Sequence, residues 1–371
     1  MEGSERVGGG RTTLTQVARE VGVSPMTVSN AFNRPNQLSA DLRLHVLREA
    51  RRLGYAGPDP LARGLRRGGT SAVGVIYDNP LSYAFEDEAA VLFLRGVSRV
   101  GEESRLGLLL VPGSPSDDRD ASPIAKALVD GFVAYSVAEG DPVLQAALDR
   151  RLPTVIVDQP RVDGVSFVGI NDEIAARAIA DHLLDLGHET LGVVSFSLSP
   201  GGHTGLADVA RQRAATYPVS RLRLRGYAAA AAARGIRWAA VPVYECSGSG
   251  KGLGREAAEA LLSASPRPTA LICLSDELAL GAFEAVRGRG LSVPAHVSVV
   301  GFDNIPAAAY ATPTLTTVDQ DHFEKGLAAA RLLTDQIKGS AAPSTLILES
   351  PVVRRASTGP PPSLREGQPD L

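Results

Sequence analysis

Residues 14–32 read LTQVAREVGVSPMTVSNAF, and this stretch decides the fold of the N-terminal part of the chain. Its apolar residues before Gly22 recur at helical spacing, and Thr13 can cap that first helix. Ser24 followed by Pro25 marks a second helix start, because serine is a favoured N-cap and proline suits the first helical position. The apolar face of this second helix consists of Val28, Ala31 and Phe32. The stretch therefore predicts two helices joined by a tight turn.

The opposite side of the second helix presents short side chains that suit the major groove of DNA. They are Pro25, Met26, Ser29 and Asn30, and Thr27 lies beside them. Asn30 can pair with an adenine edge, whereas Pro25 and Met26 can make only apolar contacts, for instance with a thymine methyl group. The alternative is an ordinary three-helix core fragment. We predict that this helix reads DNA.

Charge is distributed unevenly along the chain, whose net charge is −3. The first 69 residues carry eleven arginines, no lysine and six acidic residues, which gives this head a net charge of +5 and leaves −8 for the remainder. A basic head on an acidic body favours a polyanion-binding module joined to a second function. The alternative is a basic face that is merely solvated.

A third helix and a linker follow the first two helices. Ser39 can cap a helix that runs to about Leu53 and stops at Gly54. Residues 57–60, Gly-Pro-Asp-Pro, form a turn-rich linker, and residues 61–67 can form one or two further helical turns. The head is therefore predicted to be all-α.

From residue 71 the chain alternates short apolar strands with helices, which is typical of parallel sheets in an α/β body. Strands are predicted at 72–77, 107–111, 131–136, 154–157, 191–195, 269–274 and 297–301. Helices are predicted at 86–103, 172–186, 221–234, 254–263 and 277–289. The body is too long for one sheet, so we expect two lobes. Residues after Arg355 are rich in Pro, Gly and Ser and are predicted to be disordered.

The composition argues against several classes of protein. The longest apolar stretches fall far short of a membrane span, and the N-terminus lacks the apolar core of a secretory signal, so we expect a cytoplasmic protein. Two cysteines cannot build a disulfide framework or a four-cysteine zinc site. Six histidines without an HExxH motif offer no metal cluster, so we expect no metal site.

The sequence also lacks a recognisable catalytic or nucleotide-binding motif. The glycine-rich segment 246–255 fails as a phosphate loop, because Glu245 replaces its first glycine and Gly252 stands where Ser or Thr is needed. It fails as GxGxxG because Leu253 stands where the third glycine should be. No GxSxG elbow is present, and His188 is interpreted as a helix-end residue. We therefore expect no cofactor and no catalytic site.

In the order of its motifs, the chain resembles the lactose/galactose-repressor (LacI/GalR) family of bacterial transcription regulators. The resemblance covers residues 11–355 and rests on TLTQVAREVGVSPMTVSNAFN, LSADLRLHVLREARRLGY, LARGLRRGGTSAVGVI, LPTVIVDQP, VGINDEIAARAIADHLLDLGHETLGVV, LSDELALGA, SVVGFDNIP and PTLTTVDQ. It implies an N-terminal all-α helix–turn–helix head and an α/β two-lobed core like that of periplasmic sugar-binding proteins. It also implies a hinge helix, dimerisation and control by a small effector.

The motifs and the resemblance together divide the chain into five segments. They are a disordered tail at 1–10, a helix–turn–helix DNA-binding domain at 11–58, a hinge helix or linker at 59–69, a two-lobed effector-binding and dimerisation core at 70–355, and a disordered tail at 356–371.

Within the hinge, the resemblance implies that Leu65 is a wedge inserted into the minor groove. Such insertion unstacks a base step and bends the DNA. Gly64 costs about 1 kcal/mol relative to alanine in a helix interior, which favours a hinge that orders only on DNA. The alternative is a plain linker whose leucines pack on the body. The sequence departs from the family at Asn30, where many members have an arginine, so bidentate reading of guanine is lost there.

The resemblance also implies an effector site. Arg223, in RLRG, stands where the family has an arginine that binds the ligand. Asp276, in LSDELALG, matches an acid at the carboxyl end of a strand that accepts hydrogen bonds from the ligand. Tyr83 and Phe85 would supply an aromatic wall, and Asn171 stands where members often have an aspartate. Taken alone, a surface salt bridge is the simpler interpretation of Arg223, and a helix N-cap is the simpler interpretation of Asp276.

We therefore predict a transcriptional repressor that binds a near-palindromic operator as a homodimer. A small effector between the two lobes, such as a sugar or a nucleobase, would control its affinity for double-stranded DNA. The first alternative is the solute-binding protein of a transporter, which the N-terminal head and the missing signal peptide disfavour. The second is an enzyme fused to a DNA-binding head, for which the sequence offers no nucleophile–base set.

Overall fold

The computed structural model describes residues 12–55, 57, 69–78, 82–111 and 121–362. These residues fall into two compact units, one within residues 1–70 and the other within residues 71–371. The predicted tail at 1–10, the hinge residues 61–67 and, with them, Leu65 lie outside the described residues.

Three helices lie in the described part of the N-terminal unit. They are α1 (Leu14–Val21), α2 (Pro25–Asn33) and α3 (Ala40–Arg52), and a 3-10 turn at Pro35–Gln37 lies between the last two. Each helix begins where the sequence predicts, because a hydroxyl side chain accepts a backbone N–H of its first turn. The three cap residues are Thr13, Ser24 and Ser39. Gly22 ends α1 at a φ of 71°, a left-handed conformation that favours glycine.

The core of the N-terminal unit is built from all three helices. Its buried side chains are Val17, Ala18, Val28, Ala31, Val46, Ala50 and Tyr55. Phe32 packs edge-on against Tyr55 with the ring centroids 5.8 Å apart, an arrangement that aromatic rings favour. The apolar face predicted for α2 is confirmed, and the other face of this helix is left outside the core.

The second unit is an α/β body. Its strands are β1 (Ala72–Tyr77), β2 (Gly107–Val111), β3 (Phe132–Tyr135), β4 (Thr154–Val157), β5 (Ser166–Gly169), β6 (Leu191–Ser195), β7 (Gly205–Leu206), β8 (Val243–Glu245), β9 (Ala270–Cys273), β10 (Ser298–Val300), β11 (Thr317–Val318), β12 (Thr345–Ile347) and β13 (Val352–Val353). Its helices are α4 (Tyr83–Glu86), α5 (Glu88–Ser104), α6 (Ser122–Lys126), α7 (Pro142–Asp149), α8 (Asp172–Asp185), α9 (Val209–Arg213), α10 (Pro218–Ala233), α11 (Lys251–Leu262), α12 (Asp276–Gly288), α13 (Pro306–Tyr310) and α14 (His322–Ile337). No helix in the described part of the chain is both long and apolar enough to cross a membrane.

Lobe 1 is built on a six-stranded sheet with the order β12-β5-β4-β3-β1-β2, in which all neighbouring strands are parallel. Helices α5 and α14 cover one face of this sheet, and α6 and α7 cover the other. Because both faces are covered, a central strand such as β4 is buried along its whole length and is apolar after its first residue.

Lobe 2 is built on a five-stranded sheet with the order β10-β9-β6-β8-β7, in which only β7 runs antiparallel to its neighbour. Helices α8 and α10 cover one face, and α11 and α12 cover the other. The chain passes between the lobes after β5, after β11 and after β12, so the described lobes share three connections. The predicted two-lobed α/β core is confirmed.

The prediction of a disordered tail from residue 356 is wrong for residues 356–362, which pack on lobe 2. Ser357 is fully buried, and its hydroxyl donates to the carbonyl of Val299 at 2.6 Å. The carbonyl oxygen of Gly359 lies 2.9 Å from Nε2 of His188. Proline, glycine and serine indicate irregular backbone, but they do not show whether the polar groups of that backbone find partners on the body.

Candidate functional site

The face of α2 that the core leaves free carries the residues predicted to read DNA. Met26 is 69% exposed, and Pro25 is exposed beside it at the start of the helix. Ser29 and Asn30 are half-buried one turn later. The hydroxyl of Thr27 lies 2.9 Å from that of the capping residue Ser24, so Thr27 also helps to start the helix. The structure thus places the predicted residues together, and their contact with DNA stays a prediction.

The basic character of the head is partly neutralised within the unit itself. Arg52 donates to Glu49 and to Glu20, each at 2.6 Å, and this contact lowers the pKa of the Glu49 carboxyl. Arg19, Arg34 and Arg48 are exposed and have no ion-pair partner among the described residues. These three arginines therefore remain available to DNA phosphates.

A cavity of about 430 Å³ lies between the two lobes of the body. Lobe 1 contributes Tyr77, Asp78, Asp87, Ala89, Ala90, Tyr135, Ser136, Asp158 and Gln159. Lobe 2 contributes Phe196, Ser197, Tyr217, Val219, Arg223, Ser247, Gly248, Ser249, Leu253, Ser275 and Asp303, and the connection into α14 contributes Gln320 and His322. Many of these residues directly follow strands of the two sheets, and ligands of open α/β sheets bind at such carboxyl ends.

Arg223 lies in the wall of this cavity, and its contact with an effector stays a prediction. It is buried on α10, where its Nε donates to Asp172 at 2.8 Å and its Nη1 donates to the carbonyl of Leu274 at 2.7 Å. Its guanidinium carbon lies 3.7 Å from the ring centroid of Phe302. These contacts use two of the five N–H groups of arginine and hold the planar group in one orientation. The other N–H groups form no hydrogen bond within the described residues.

The structure does not place Asp276 in the cavity wall, and Asp303 takes that place. Asp276 is fully buried behind the wall, where it accepts from the Thr317 hydroxyl at 2.5 Å and from the Ile305 N–H at 2.9 Å. The helix cap at this point is Ser275, whose hydroxyl accepts from Leu278. The sequence suggested an acid at this edge, but the residue that reaches the cavity follows β10 and not β9.

Of three further residues predicted for the effector site, two lie outside the cavity wall, and the side chain of the third is not described. Asn171 is exposed and caps α8 by accepting from the Ile174 N–H at 3.3 Å, so it is not part of the wall. Phe85 is 63% exposed and also does not line the cavity. The side chain of Tyr83 is outside the described atoms, although its backbone forms the start of α4.

The sequence analysis did not predict several polar residues of the cavity wall, although their positions at the ends of predicted strands are a simple signal. Asp78, Ser136 and Asp158 each stand at or directly after the end of a predicted strand of lobe 1. Because parallel strands end at one edge of a sheet, polar residues directly after them converge. Tyr217 and His322 have no such signal, since they reach the cavity from a loop and from the start of a helix.

A buried polar chain joins the two lobes at the floor of the cavity. Lys325 is fully buried, and its Nζ donates to Asp158 and to the side-chain oxygen of Gln320, each at 2.6 Å. The amide nitrogen of Gln320 donates to Asp303 at 2.6 Å, and Nε2 of His322 lies 3.3 Å from the same oxygen. A ligand that contacts Asp303 would therefore touch a network that spans both lobes.

Comparison with known proteins identifies the chain. Residues 13–57 match the family model described as bacterial regulatory proteins of the lacI family, and residues 180–358 match a periplasmic binding protein-like domain. An HTH-type transcriptional regulator of Mycobacterium tuberculosis is 45% identical over 354 residues, which cover 95% of this chain and 98% of that relative. This chain belongs to the lacI family of bacterial regulatory proteins.

Solved structures agree with this LacI-family assignment. A LacI-family transcriptional regulator of Corynebacterium glutamicum is 36% identical, with a TM-score of 0.72 and coverage of 94% of this chain and 98% of that one. The transcriptional regulator CelR in complex with cellobiose is 26% identical, with a TM-score of 0.67 and coverage of 94% and 100%. The chain is thus a DNA-binding transcriptional regulator with a periplasmic-binding-protein-like core.

In this LacI-family regulator, direct bonds also join the lobes at the rim of the cavity. The hydroxyl of Tyr217 donates to Asp78, and the N–H of Val219 donates to Gln159 at 2.7 Å. On the same side, the N–H of Glu139 donates to the carbonyl of Thr216 at 3.0 Å. A change at the rim is therefore felt by both lobes.

The cavity of this regulator is acidic. Among its described lining residues, four are aspartates (Asp78, Asp87, Asp158 and Asp303), and Arg223 is the one that always carries a positive charge. Arg223 is itself paired with the buried Asp172. Asp158 is paired in turn with the buried Lys325, so the lining keeps a smaller excess of carboxylates that an anionic ligand would meet at close range.

Proposed function

We propose that the protein represses transcription by binding a near-palindromic operator as a homodimer, and that a small effector in the interlobe cavity sets its operator affinity. The single observation that carries the effector part is that Arg223 and Asp303 both line the interlobe cavity. The first offers N–H donors and the second offers acceptors, so together they suit a molecule that carries several hydroxyl groups. The proposal includes no catalytic step.

The acidic lining narrows the class of effector. A neutral sugar or a nucleobase can satisfy the carboxylates through its hydroxyl or N–H groups, whereas a phosphorylated sugar would bring like charges together. CelR is known from its structure to bind cellobiose, a neutral sugar, which supports this class without fixing the compound.

The proposed mechanism is differential affinity of the effector for two arrangements of the lobes. The effector would favour one arrangement, and only one arrangement would let the paired hinge segments order on DNA. Leu65, placed in the hinge by the resemblance to the family, would then enter the minor groove at the operator centre. The regulator would act in the cytoplasm, where the operator is.

The test starts from the DNA that the protein binds. Sequencing genomic fragments retained by the protein gives the operator, and the neighbouring genes suggest candidate effectors. Operator affinity is then measured by fluorescence anisotropy with and without each candidate, for the parent protein and for Asp303→Asn. We expect the variant to bind operator normally and to lose the response to effector. An unchanged response of Asp303→Asn would remove this residue from the proposed site.

A matched control is available on the same helix as Arg223. Arg225 is two residues away on α10, but its side chain is 63% exposed and pairs with Glu173 at the surface. Arg225→Ala should leave both operator binding and the effector response unchanged, because exposed ion pairs contribute little. A loss of response in this control would show that any change on α10 disturbs the coupling.

A further inference from the structure

We propose that Asp276 is a positioning residue for the effector cavity: it holds the turn from Phe302 to Ile305 in the conformation that presents the Asp303 carboxylate to the cavity. The proposal rests on the effector function above, because the placement of Asp303 matters to the regulator only if the cavity takes an effector. It gives Asp276 a role that is separate from ligand contact.

The turn that carries Asp303 has an unfavourable backbone conformation. Asp303 has a φ of 146° and Asn304 a φ of 58°, so two consecutive non-glycine residues have positive φ. Side chains rarely tolerate this region, and such residues persist only where the surroundings hold them. The N–H of Asp303 donates to the carbonyl of Val318 at 2.9 Å, which fixes the middle of the turn but not its ends.

Asp276 contacts both ends of this turn, the start through its backbone N–H and the end through its carboxyl group. Its own N–H points at the start, where it lies 3.0 Å from the carbonyl of Phe302 and 3.2 Å from Oδ2 of Asp303. Its Oδ2 accepts from the N–H of Ile305 at 2.9 Å, which fixes the end. Its Oδ1 accepts from the hydroxyl of Thr317 at 2.5 Å, which fixes the carboxyl group itself. The carboxyl groups of Asp276 and Asp303 are thus linked through the backbone of the turn from Phe302 to Ile305.

Gly301 shows how closely the Asp276 carboxyl is seated against the strand end. A Cβ atom at this position would lie 2.2 Å from Oδ1 of Asp276 and 2.9 Å from a methyl carbon of Leu315. The first distance is far inside van der Waals contact, so any side chain at residue 301 must displace the carboxyl group. The glycine is needed here for close approach, and Gly301→Ala becomes a second, independent way to disturb Asp276.

The surroundings of Asp276 favour the neutral form of its carboxyl group. Burial and the nearby charge of Asp303 raise the pKa of Asp276 to about 8. On the Asp303 side, Gln320 donates to Oδ1 at 2.6 Å and Nε2 of His322 lies 3.3 Å from the same oxygen. Other ionisable groups around this pair include Arg223 and Tyr227 from α10, Glu277 from α12, Lys325 from α14, Tyr135 from β3 and Cys273 at the end of β9.

Three variants separate positioning from mere packing, and none of the measurements needs a ligand. Asp276→Asn keeps an oxygen for the Ile305 N–H and is neutral like the protonated acid, so it should preserve the turn. Asp276→Ala removes that oxygen, and Gly301→Ala displaces it. Hydrogen exchange of the Ile305 amide and crystal structures of the variants report the turn and the place of the Asp303 carboxylate.

We expect Asp276→Ala and Gly301→Ala to speed exchange of the Ile305 amide by about tenfold or more and to move Asp303 out of the wall. Asp276→Asn should change neither. The pH profile adds an electrostatic readout. Because the pKa of Asp276 is raised on folding, the parent protein loses stability as the pH rises from about 4 towards 8, and Asp276→Asn should remove that part of the fall.

Two results would overturn the proposal. The first is that, in Asp276→Ala, the Ile305 amide stays protected from exchange and the Asp303 carboxylate stays in place. The other is an asparagine variant that disrupts the turn as much as alanine does. If Asp276→Ala does not fold, the same measurements on Gly301→Ala and Asp276→Asn test the proposal in the same way. Failure of the effector proposal would appear only in the operator titrations, so the two failures are distinguishable.

Discussion

Removing the guanidinium of Arg223 is the perturbation whose consequences the structure defines most fully. Arg223 and Asp172 form an ion pair at 2.8 Å in which both side chains are almost fully buried. Within the described residues, Arg223 is the side chain paired with Asp172. Arg223→Ala therefore leaves a carboxylate buried without a cation, which costs about 3–5 kcal/mol of unfolding free energy.

Thermal and urea unfolding measure this cost directly. The thermal unfolding midpoint of a body of this size falls by about 2–4 °C for each kcal/mol of stability lost, so Arg223→Ala should lower it by on the order of 10 °C. Burial already raises the pKa of Asp172, and the loss of Arg223 should raise it further. A protein with a buried carboxyl of raised pKa loses stability as the pH rises, because that carboxyl ionises. The free energy of unfolding of the variant should therefore be less reduced at pH 5 than at pH 8.

The double variant Arg223→Ala with Asp172→Asn separates stability from ligand binding. Replacing the orphaned carboxylate by a neutral amide should restore most of the midpoint, because the buried charge is gone. The effector response should stay lost, since the donors of the guanidinium are still missing. At pH 8, an unfolding midpoint of Arg223→Ala within about 2 °C of the parent's would refute the reasoning, because the pair would then contribute almost nothing.

Further predictions concern the head, the hinge and the rim of the cavity. Asn30→Ala should weaken operator binding by about 1–3 kcal/mol while random DNA is bound as before, as anisotropy with both DNAs would show; equal losses would contradict a reading role. Leu65→Ala should bend the operator less in a circular-permutation gel, and unchanged bending would exclude the wedge. Tyr217→Phe removes the bond to Asp78 across the rim, so X-ray scattering should show a larger radius of gyration of the free protein; identical scattering curves would show that this bond does not hold the lobes.

The helices of the head could be predicted because their signals are local. Thr13, Ser24 and Ser39 each cap a helix with a side chain that bonds to the backbone three residues on. Neighbours in sequence decide such contacts, so no knowledge of tertiary structure is needed. The same holds for strands such as β1 and β4, whose apolar runs match the structure residue for residue.

The two acids of the cavity region show where local signals end. Asp276 and Asp303 both follow a buried strand, and the sequence does not show which of them reaches the cavity. The outcome depends on a backbone turn with positive φ at Asp303 and on the partners that Asp276 finds in distant segments, Thr317 among them. The burial of Ser357 depends in the same way on partners far away along the chain.

The measurement that tests the central claim most directly is an operator titration with and without effector on three proteins: the parent, Asp303→Asn and the surface control Arg225→Ala. The account predicts that effector changes the operator affinity of the parent and of the control by about 5–150-fold, which corresponds to a coupling of about 1–3 kcal/mol. It predicts that Asp303→Asn binds operator like the parent and shows no change with effector. If Asp303→Asn responds to effector as the parent does, Asp303 is not an effector contact, and the result contradicts the proposed site.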